Sequence, residues 1–255
     1  MTSSLVIAKK EIKTALKSPG FYFILFLFTL LISFVSYQAL EVLKQRSEFA
    51  AMQGQDGVIN FHTGYVSQVV YLMHFMLLLF IPALTAFSFA EERKARTMDL
   101  LLTSPITSTE IVVGKLEAAL SMILILLGVS LIYPVSMSLA VDVDWPLMFS
   151  SYLGMFLVAS VYISIGLFSS SLTSSVILAY VISFVLNLFC IFIVWGTQTT
   201  ENATLREILN HMSISKHLTD FIQGSMHLSS IVFLVSVILF FTFMTQRVIE
   251  SARWR

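Results

Sequence analysis

A long stretch without charged residues restricts the fold of this chain more than any other feature. Residues 145–200 contain no Asp, Glu, Lys or Arg. The whole chain is 57% apolar and only 12% charged, with a mean hydropathy of +0.87, whereas soluble domains carry about 25% charged residues. We therefore predict an all-α, polytopic membrane protein. The composition excludes a soluble enzyme, a DNA-binding domain and a disordered tail.

Apolar segments long enough to cross a bilayer occur six times. A membrane helix needs about 20 apolar residues, and the stretch 145–200 is long enough for two helices, separated at the polar run SSSLTSS of residues 169–175. The chain is thus predicted to be a single transmembrane domain over residues 1–255. The six predicted transmembrane helices cover residues 21–40, 66–90, 115–140, 147–169, 173–196 and 228–246.

The distribution of Lys and Arg predicts the orientation of the chain. If the N-terminus is cytoplasmic, the inner segments contain eleven basic residues: Lys9, Lys10, Lys13, Lys17, Arg93, Lys94, Arg96, Lys115, Arg247, Arg253 and Arg255. The outer loops contain four: Lys44, Arg46, Arg206 and Lys216. Because positive charge is enriched on the cytoplasmic side, both termini are predicted to be cytoplasmic, which agrees with an even number of spans.

The first eighteen residues resemble an amphipathic helix at the membrane surface. Leu5, Ala8, Ile12, Ala15 and Leu16 follow helical spacing, and the remaining positions include four lysines. The sequence SPG at residues 18–20 ends the pattern, because Pro disfavours helix at the residue before it. We predict an interfacial elbow helix over residues 1–18. It either guides the first span and contacts partners or serves only as a positively charged anchor.

The loop over residues 91–112 is the most distinctive segment. Its first half mixes charges of both signs with an apolar cluster, Leu100 to Leu102, and Pro105 ends that element. A connection between adjacent helices needs only about two to eight residues. A longer loop with a leucine cluster therefore indicates a docking surface. The alternative is a helix that simply lies on lipid.

The same loop resembles the signature of type-2 ABC exporter permeases, which runs roughly E-x-x-x-G-T-x-x-x-L-L-x-x-P and is followed later by G-K. The matching residues are Glu92, Thr97, Leu101, Leu102, Pro105, Gly114 and Lys115. Arg96 stands where the family usually has glycine, and this departure puts the local backbone turn in doubt because Arg tolerates a positive φ poorly.

The resemblance implies the transmembrane subunit of an ATP-driven ABC exporter-type complex in the inner (plasma) membrane. ATP and Mg would bind to a separate ABC ATPase, present in two copies, and this chain would carry no cofactor. A second permease copy, identical or similar, would face it. The predicted ATPase-coupling residues are Glu91, Glu92, Arg93, Lys94, Arg96, Thr97, Leu100, Leu101, Leu102 and Pro105. An alternative is a non-transporting subunit that transmits ATPase motion to a periplasmic or membrane partner.

Within that family, the chain is most similar to the gliding-motility-type (GldF-like) and NosY-like permeases. Residues 213–224 resemble the serine, histidine, phenylalanine and glycine run of the gliding-motility type. This similarity implies a further membrane or periplasmic subunit. Type-2 exporters also place short outer helices before span six, which corresponds to residues 199–224. There we assign a capping box to Thr204 and Glu207 and a second short helix near residues 215–223.

Motifs for chemistry on the chain itself are missing from the sequence. No G-x-x-x-x-G-K-[ST] motif occurs, so we expect no P-loop binding of ATP and no enzymatic activity on this chain. The zero net charge gives no case for nucleic-acid binding, and the charge-free stretches that form the spans, such as residues 118–141 in the third, contain none of the carboxylates that a secondary transporter needs. We predict no catalytic residue and no metal site, with His211, His217 and His227 as packing or surface residues.

Two polar residues inside predicted spans are candidates for a pathway or for contacts between helices. His74, in the second span, either lines a pathway, pairs with a neighbour or remains a neutral imidazole bonded to a carbonyl. Asn187, in the fifth span, is predicted to form a hydrogen bond between helices.

Overall fold

The fold is a bundle of long helices. The computed structural model describes residues 3–52, 61–98, 106–139, 141–200 and 202–252. Within these ranges every regular element is helical, and six helices are long and apolar enough to cross a membrane. The chain is therefore an all-α, multi-pass protein, as its apolar segments predict.

The N-terminal region forms two helices joined at a single residue. Helix α1 (Ser3–Lys17) ends just before Ser18, and α2 (Pro19–Met52) begins with proline, a residue suited to the first helical turn. At 34 residues, α2 is about 51 Å long and exceeds the hydrocarbon thickness of about 30 Å. It continues twelve residues past the predicted end at residue 40, because the polar segment 41–52 consists mostly of good helix formers.

The second span has two helical segments and a wider first turn. It starts with the π-helical turn His62–Val66, continues as α3 (Ser67–Thr85), and resumes after Ala86 as α4 (Phe87–Lys94). The connection 41–65 between the first two predicted spans is thus helical on both sides of residues 53–60. Pro82 lies inside α3, and proline weakens the helix around it because it has no N–H.

The third to fifth spans begin with side-chain caps. Helix α5 (Ser108–Met137) is capped by Thr107, which forms a capping box with Glu110. Helix α6 (Trp145–Leu172) is capped by Asp144, and α7 (Val176–Thr199) is capped by Ser175. The break between α6 and α7 falls later than predicted, because the first serines of the polar run remain helical and buried.

The remaining helices complete the far end of the bundle. Short helices α8 (Ala203–Met212) and α9 (Ile214–Ile222) precede α10 (Leu228–Ala252). The assignment of a capping box to Thr204 was wrong. The N-cap is Asn202, two residues earlier, and its side chain accepts hydrogen bonds from the N–H groups of Thr204 and Leu205. Gly224 follows α9 with φ +77°, a conformation typical of a helix stop.

Helix α6 is the centre of the bundle. In the most apolar part of α6, 78% of the residues are buried inside the bundle, against 56% or less in the corresponding parts of the other spans. Two glycines on α6 permit close contacts: a Cβ at Gly154 would lie 2.5 Å from Cβ of Phe221, and a Cβ at Gly166 would overlap the side chain of Thr85. Small residues commonly bring membrane helices together in this way.

Opposite ends of α6 carry different partners. Helix α9 packs near its beginning, where Ser150 donates a hydrogen bond to the carbonyl of Phe221 at 2.7 Å. Helix α4 packs near its end, at Ser170. We call the end that contains α1 and residues 91–97 the coupling end, and the end that contains α8 and α9 the distal end.

Candidate coupling site

A buried lysine lies at the centre of the coupling end. The side chain of Lys115, on α5, is only 2% exposed. Its Nζ donates hydrogen bonds to Oε1 of Glu92 at 2.9 Å, to Oε1 of Glu11 at 3.1 Å and to the carbonyl of Ser88 at 2.7 Å. An ammonium group has three protons to donate, so these three acceptors satisfy it.

The Lys115 contacts join three helices that are distant in sequence. Glu11 belongs to α1, Ser88 and Glu92 belong to α4, and the lysine itself belongs to α5. The ring of Phe89 lies 5.0 Å from Nζ and adds a cation–π contact. Removing one partner of a buried ion pair costs about 3–5 kcal/mol, because the other charge is left unpaired. We call Glu11, Glu92 and Lys115 the ion triad.

Gly114 allows α1 to approach α5 next to the ion triad. A Cβ at this position would lie 2.7 Å from the carbonyl oxygen of Ser4 and 2.9 Å from Cβ of Ile7. Such distances are too short for carbon, so only glycine leaves room for α1. Each residue of the Gly114–Lys115 pair therefore has a separate structural role, the glycine in close packing and the lysine in the ion triad.

Arg96 adopts the left-handed turn that the sequence put in doubt. Its φ is +55°. The N–H of Thr97 bonds to the carbonyl of Glu92 at 3.0 Å, and the N–H of Arg96 bonds to the carbonyl of Arg93 at 3.2 Å. These two bonds form a Schellman motif that ends α4. The turn therefore persists without glycine, at the energetic cost of a left-handed arginine.

The predicted coupling residues divide into two groups. Glu91, Lys94, Arg96 and Thr97 are exposed, and Arg93 is half-buried. Glu92 instead points inward to the ion triad. Leu100, Leu101, Leu102 and Pro105 lie outside the described residues. The exposed group therefore forms the described part of the predicted docking surface, while Glu92 fastens that part to the bundle.

Glu11 is a functional candidate that the sequence interpretation missed. It is the only acidic residue in α1, among four lysines. The face that docks on α5 carries Ile7 and Ala8, both buried, together with Glu11, whereas Leu5 and Leu16 are exposed. A single carboxylate beside buried residues was the available signal, because a buried carboxylate needs a partner.

His74 pairs with a neighbouring side chain, one of the alternatives left open. Its Nε2 lies 2.6 Å from Oη of Tyr162 on α6, and the two rings stack with centroids 5.7 Å apart. The hydrogen-bond partner is thus a hydroxyl and not a carbonyl. Asn187 is fully buried, but its amide has no hydrogen-bond partner among the described residues, so the structure shows no bond between helices there.

The three C-terminal histidines have distinct surroundings at the distal end. His217 Nε2 bonds to the carbonyl of His211 at 3.0 Å, and His217 Nδ1 bonds to Oγ of Ser230 at 2.9 Å. Burial lowers the pKa of His217 from its ordinary value. His227 is exposed. Across the part of the chain that the structure describes, no three His, Cys, Asp or Glu side chains are grouped to hold a metal ion.

These features define a multi-pass membrane protein with an ion triad at one end of its bundle. A family model for ABC-2 family transporter proteins matches residues 5–249, and the chain belongs to this family. It is therefore an ABC-2 type permease subunit, and permeases of this family normally work with an ABC ATPase. A comparison with curated proteins found no match.

Proposed function

We propose that this permease converts ATP-driven motion of a separate ABC ATPase into movement across the bilayer, as an exporter-type subunit. The observation that supports this most directly is the ion triad. It fastens the exposed segment around Glu91 and Lys94 to both α1 and α5. A force on that segment therefore reaches two further helices through Lys115.

The proposed cycle begins on the partner. ATP, with Mg, closes two ATPase subunits below two permease copies, identical or similar, in the inner (plasma) membrane. The segment after α4, ending at Pro105, sits against the ATPase and moves with it. The motion passes into spans two and three, and spans two and five rearrange around the axis of the permease dimer. ATP biases this equilibrium only through its different affinity for the two states. Hydrolysis takes place on the ATPase alone, so this chain is not an enzyme.

The contact with the ATPase is tested by a charge in the leucine cluster. In the reconstituted complex, Leu101→Asp should abolish the stimulation of ATP hydrolysis by the permease and leave membrane insertion intact. Leu139→Asp is the matched control, because Leu139 is 91% exposed and follows the opposite end of α5. Unchanged stimulation in Leu101→Asp would show that this assignment of the contact is wrong.

A non-transporting subunit that transmits motion to a periplasmic or membrane partner is the second candidate. The close packing of α9 on α6 favours this second candidate. Phe221 packs against Gly154 and Ser150 and leaves no room for a side chain at residue 154. This packing would make the distal end a rigid platform on which a partner could dock. Flux of cargo in proteoliposomes separates the candidates: ATP-dependent flux supports the exporter, and hydrolysis without flux of any tested cargo class supports transmission.

We also propose the gliding-motility type as the subtype. The supporting segment, residues 213–224, contains α9, the helix that forms the distal platform. An ABC ATPase encoded by a neighbouring reading frame would support the complex as a whole. A second large membrane subunit encoded beside it would support the gliding-motility type specifically, and its absence would favour the NosY-like type.

A further inference from the structure

The face of α1 that points away from α5 is basic and without counter-charges. Lys9, Lys10, Lys13 and Lys17 are all exposed. None of them belongs to an ion pair within the described residues. The acidic residue of the same helix, Glu11, is already used by Lys115. The free face therefore presents four positive charges to its surroundings.

Apolar side chains share that face. Leu5 and Val6 are 51% and 56% exposed, and Leu16 is 38% exposed. Only Ser18 separates α1 from α2, the first membrane span, so the helix lies where the bilayer surface begins. A helix surface with both lysines and exposed apolar residues at this depth fits anionic headgroups and the acyl boundary beneath them.

We propose that the free face of α1 binds the headgroups of anionic phospholipids. The lysines bind the lipid phosphates, and Leu5 and Leu16 enter the acyl region. Because the opposite face of α1 is joined to α4 through the ion triad, lipid charge also holds the coupling end in place. Each lysine near an anionic surface contributes about fivefold to binding, so four lysines give a strong preference.

The test measures which lipids surround α1 in the isolated permease, so its failure leaves the proposed ATPase coupling untouched. A fluorophore is attached at Thr14→Cys in a Cys190→Ala background, in nanodiscs that mix phosphatidylglycerol and phosphatidylcholine. Brominated versions of each lipid, used separately, quench the fluorophore in proportion to their local concentration. The wild-type chain should show phosphatidylglycerol enriched near α1, and raised salt should reduce the enrichment.

Replacing all four lysines by Gln should reduce that enrichment at least about tenfold, whereas replacing them by Arg should preserve it. Lys44→Gln with Arg46→Gln is the matched control, because these two exposed basic residues lie toward the other end of α2 and should not change quenching at residue 14. Equal quenching by the two lipids in the wild-type chain, or an unchanged ratio in the Gln variant, would overturn the proposal.

An independent observation concerns the junction inside the second span. Helix α4 starts after Ala86, and alanine has no side-chain oxygen to cap it. The first N–H groups of a helix lack partners within that helix. Ser170, fully buried on α6, supplies the missing acceptor: its Oγ accepts from the N–H of Phe89 at 3.0 Å and of Ala90 at 3.1 Å. The same hydroxyl donates to the carbonyl of Ala86 at 2.8 Å.

We infer that Ser170 is a positioning residue, a cap supplied by α6 that fixes the angle between α3 and α4. Pro82 and the break at Ala86 make this junction the weak point of the span. The same junction lies between the exposed coupling residues and the membrane part of the span. Without the Ser170 hydroxyl, α4 should change its angle to α3 more freely.

Two neighbouring serines provide matched controls for Ser170→Ala. Ser169 and Ser171 are equally buried, but their hydroxyls donate to carbonyls of their own helix, those of Ile165 and Phe168. Spin labels at Leu72 and Phe87, exposed sites on α3 and α4, report the junction over about 22 Å of helical rise. The background is again Cys190→Ala.

The Ser170→Ala variant should broaden the distance distribution between the labels, and Ser169→Ala and Ser171→Ala should not. Amide exchange at Phe89 and Ala90 should also rise at least about tenfold in Ser170→Ala, with slow exchange elsewhere in α6 as evidence of a folded chain. An unchanged width together with unchanged exchange at these two amides would refute the positioning role.

Discussion

Oε1 of Glu92 lies 2.9 Å from Nζ of Lys115, and this contact joins the two parts of the sequence signature. The glutamate lies in the last turn of the second span, and the lysine lies in the first turns of the third. The loop between them thus has both of its ends fixed to each other and, through Glu11, to α1. A displacement of the loop therefore moves the second and third spans together. A coupling element requires such a joint movement.

The first prediction concerns the ion triad. Lys115→Met removes the cation that pairs with the carboxylates of Glu11 and Glu92 inside the bundle. We therefore expect a loss of about 3–5 kcal/mol in the free energy of unfolding. Thermal unfolding of the purified chain in detergent measures it. Lys216→Met is the control, because Lys216 is 46% exposed in its pair with Asp220 and should cost less than about 1 kcal/mol. Equal losses in the two variants would contradict a structural role for the triad.

The second prediction concerns the close approach of α1. Gly114→Ala places a Cβ 2.7 Å from the Ser4 carbonyl, so α1 must shift, at a cost of about 1–3 kcal/mol. Gly128→Ala, on the same helix, meets nothing within 4 Å and should be neutral or slightly stabilising. Labelling of a cysteine at Ser4 by a water-soluble reagent, in a Cys190→Ala background, should accelerate in the first variant only. The prediction fails if both glycine variants label at the rate of the parent chain.

The third prediction concerns the left-handed arginine. Arg96→Gly removes the steric strain of φ +55° and should stabilise the end of α4 by about 1 kcal/mol. Lys94→Gly, within the ordinary helical part of α4, should instead destabilise it by about 1 kcal/mol. Amide exchange at Ala95 and Thr97, whose N–H groups bond to the carbonyls of Glu91 and Glu92, reports both changes. A slower exchange in Lys94→Gly than in Arg96→Gly would reverse this account.

Hydropathy and charge predicted the all-α class and the six spans, because about 20 apolar residues in succession have few alternatives in a membrane protein. The end of the first helix was placed at residue 40 because residues 41–52 are polar, and polarity alone does not distinguish a loop from a helix that extends beyond the bilayer. The two most informative side-chain contacts could not be predicted at all. Glu11 with Lys115, and Ser170 with Ala86, are separated by 104 and 84 residues.

At the coupling site, the sequence predicted only those residues that belong to the family signature. The resemblance marked Glu92, Gly114 and Lys115, but it could not show that the acid and the base bond to each other or that the glycine makes room for α1. Arg96 was marked as a departure from the pattern, and the hydrogen bonds of Thr97 and Arg96 explain why the turn persists. The left-handed turn costs about 1 kcal/mol more with arginine than with glycine. Its two backbone hydrogen bonds offset this cost, so the absence of glycine from the pattern does not decide whether the turn forms.

The last prediction concerns pH at the distal end. Burial lowers the pKa of His217 from its ordinary value of 6.5, with opposing contributions from the His211 carbonyl and Asp220 and supporting ones from the charges of His211 and Lys216. From helix α10, His217 faces the uncharged Ser230 and Phe233. Below about pH 6.5 the unfolded chain therefore binds a proton at His217 more readily than the folded chain does. His217 thus lowers the stability of the folded chain as the pH falls below about 6.5 and has no effect on it at higher pH.

We expect the thermal unfolding midpoint to fall more steeply between about pH 7 and about pH 5 in the wild-type chain than in His217→Gln, which has no proton to gain there. His227→Gln is the matched control, because His227 is exposed and its replacement should leave the wild-type slope unchanged. Amide exchange in α8 and α9 should increase over the same range, since the Ser230 contact of His217 joins α9 to α10. If His217→Gln and the wild-type chain have the same slope, the pH sensitivity of the distal end does not come from His217.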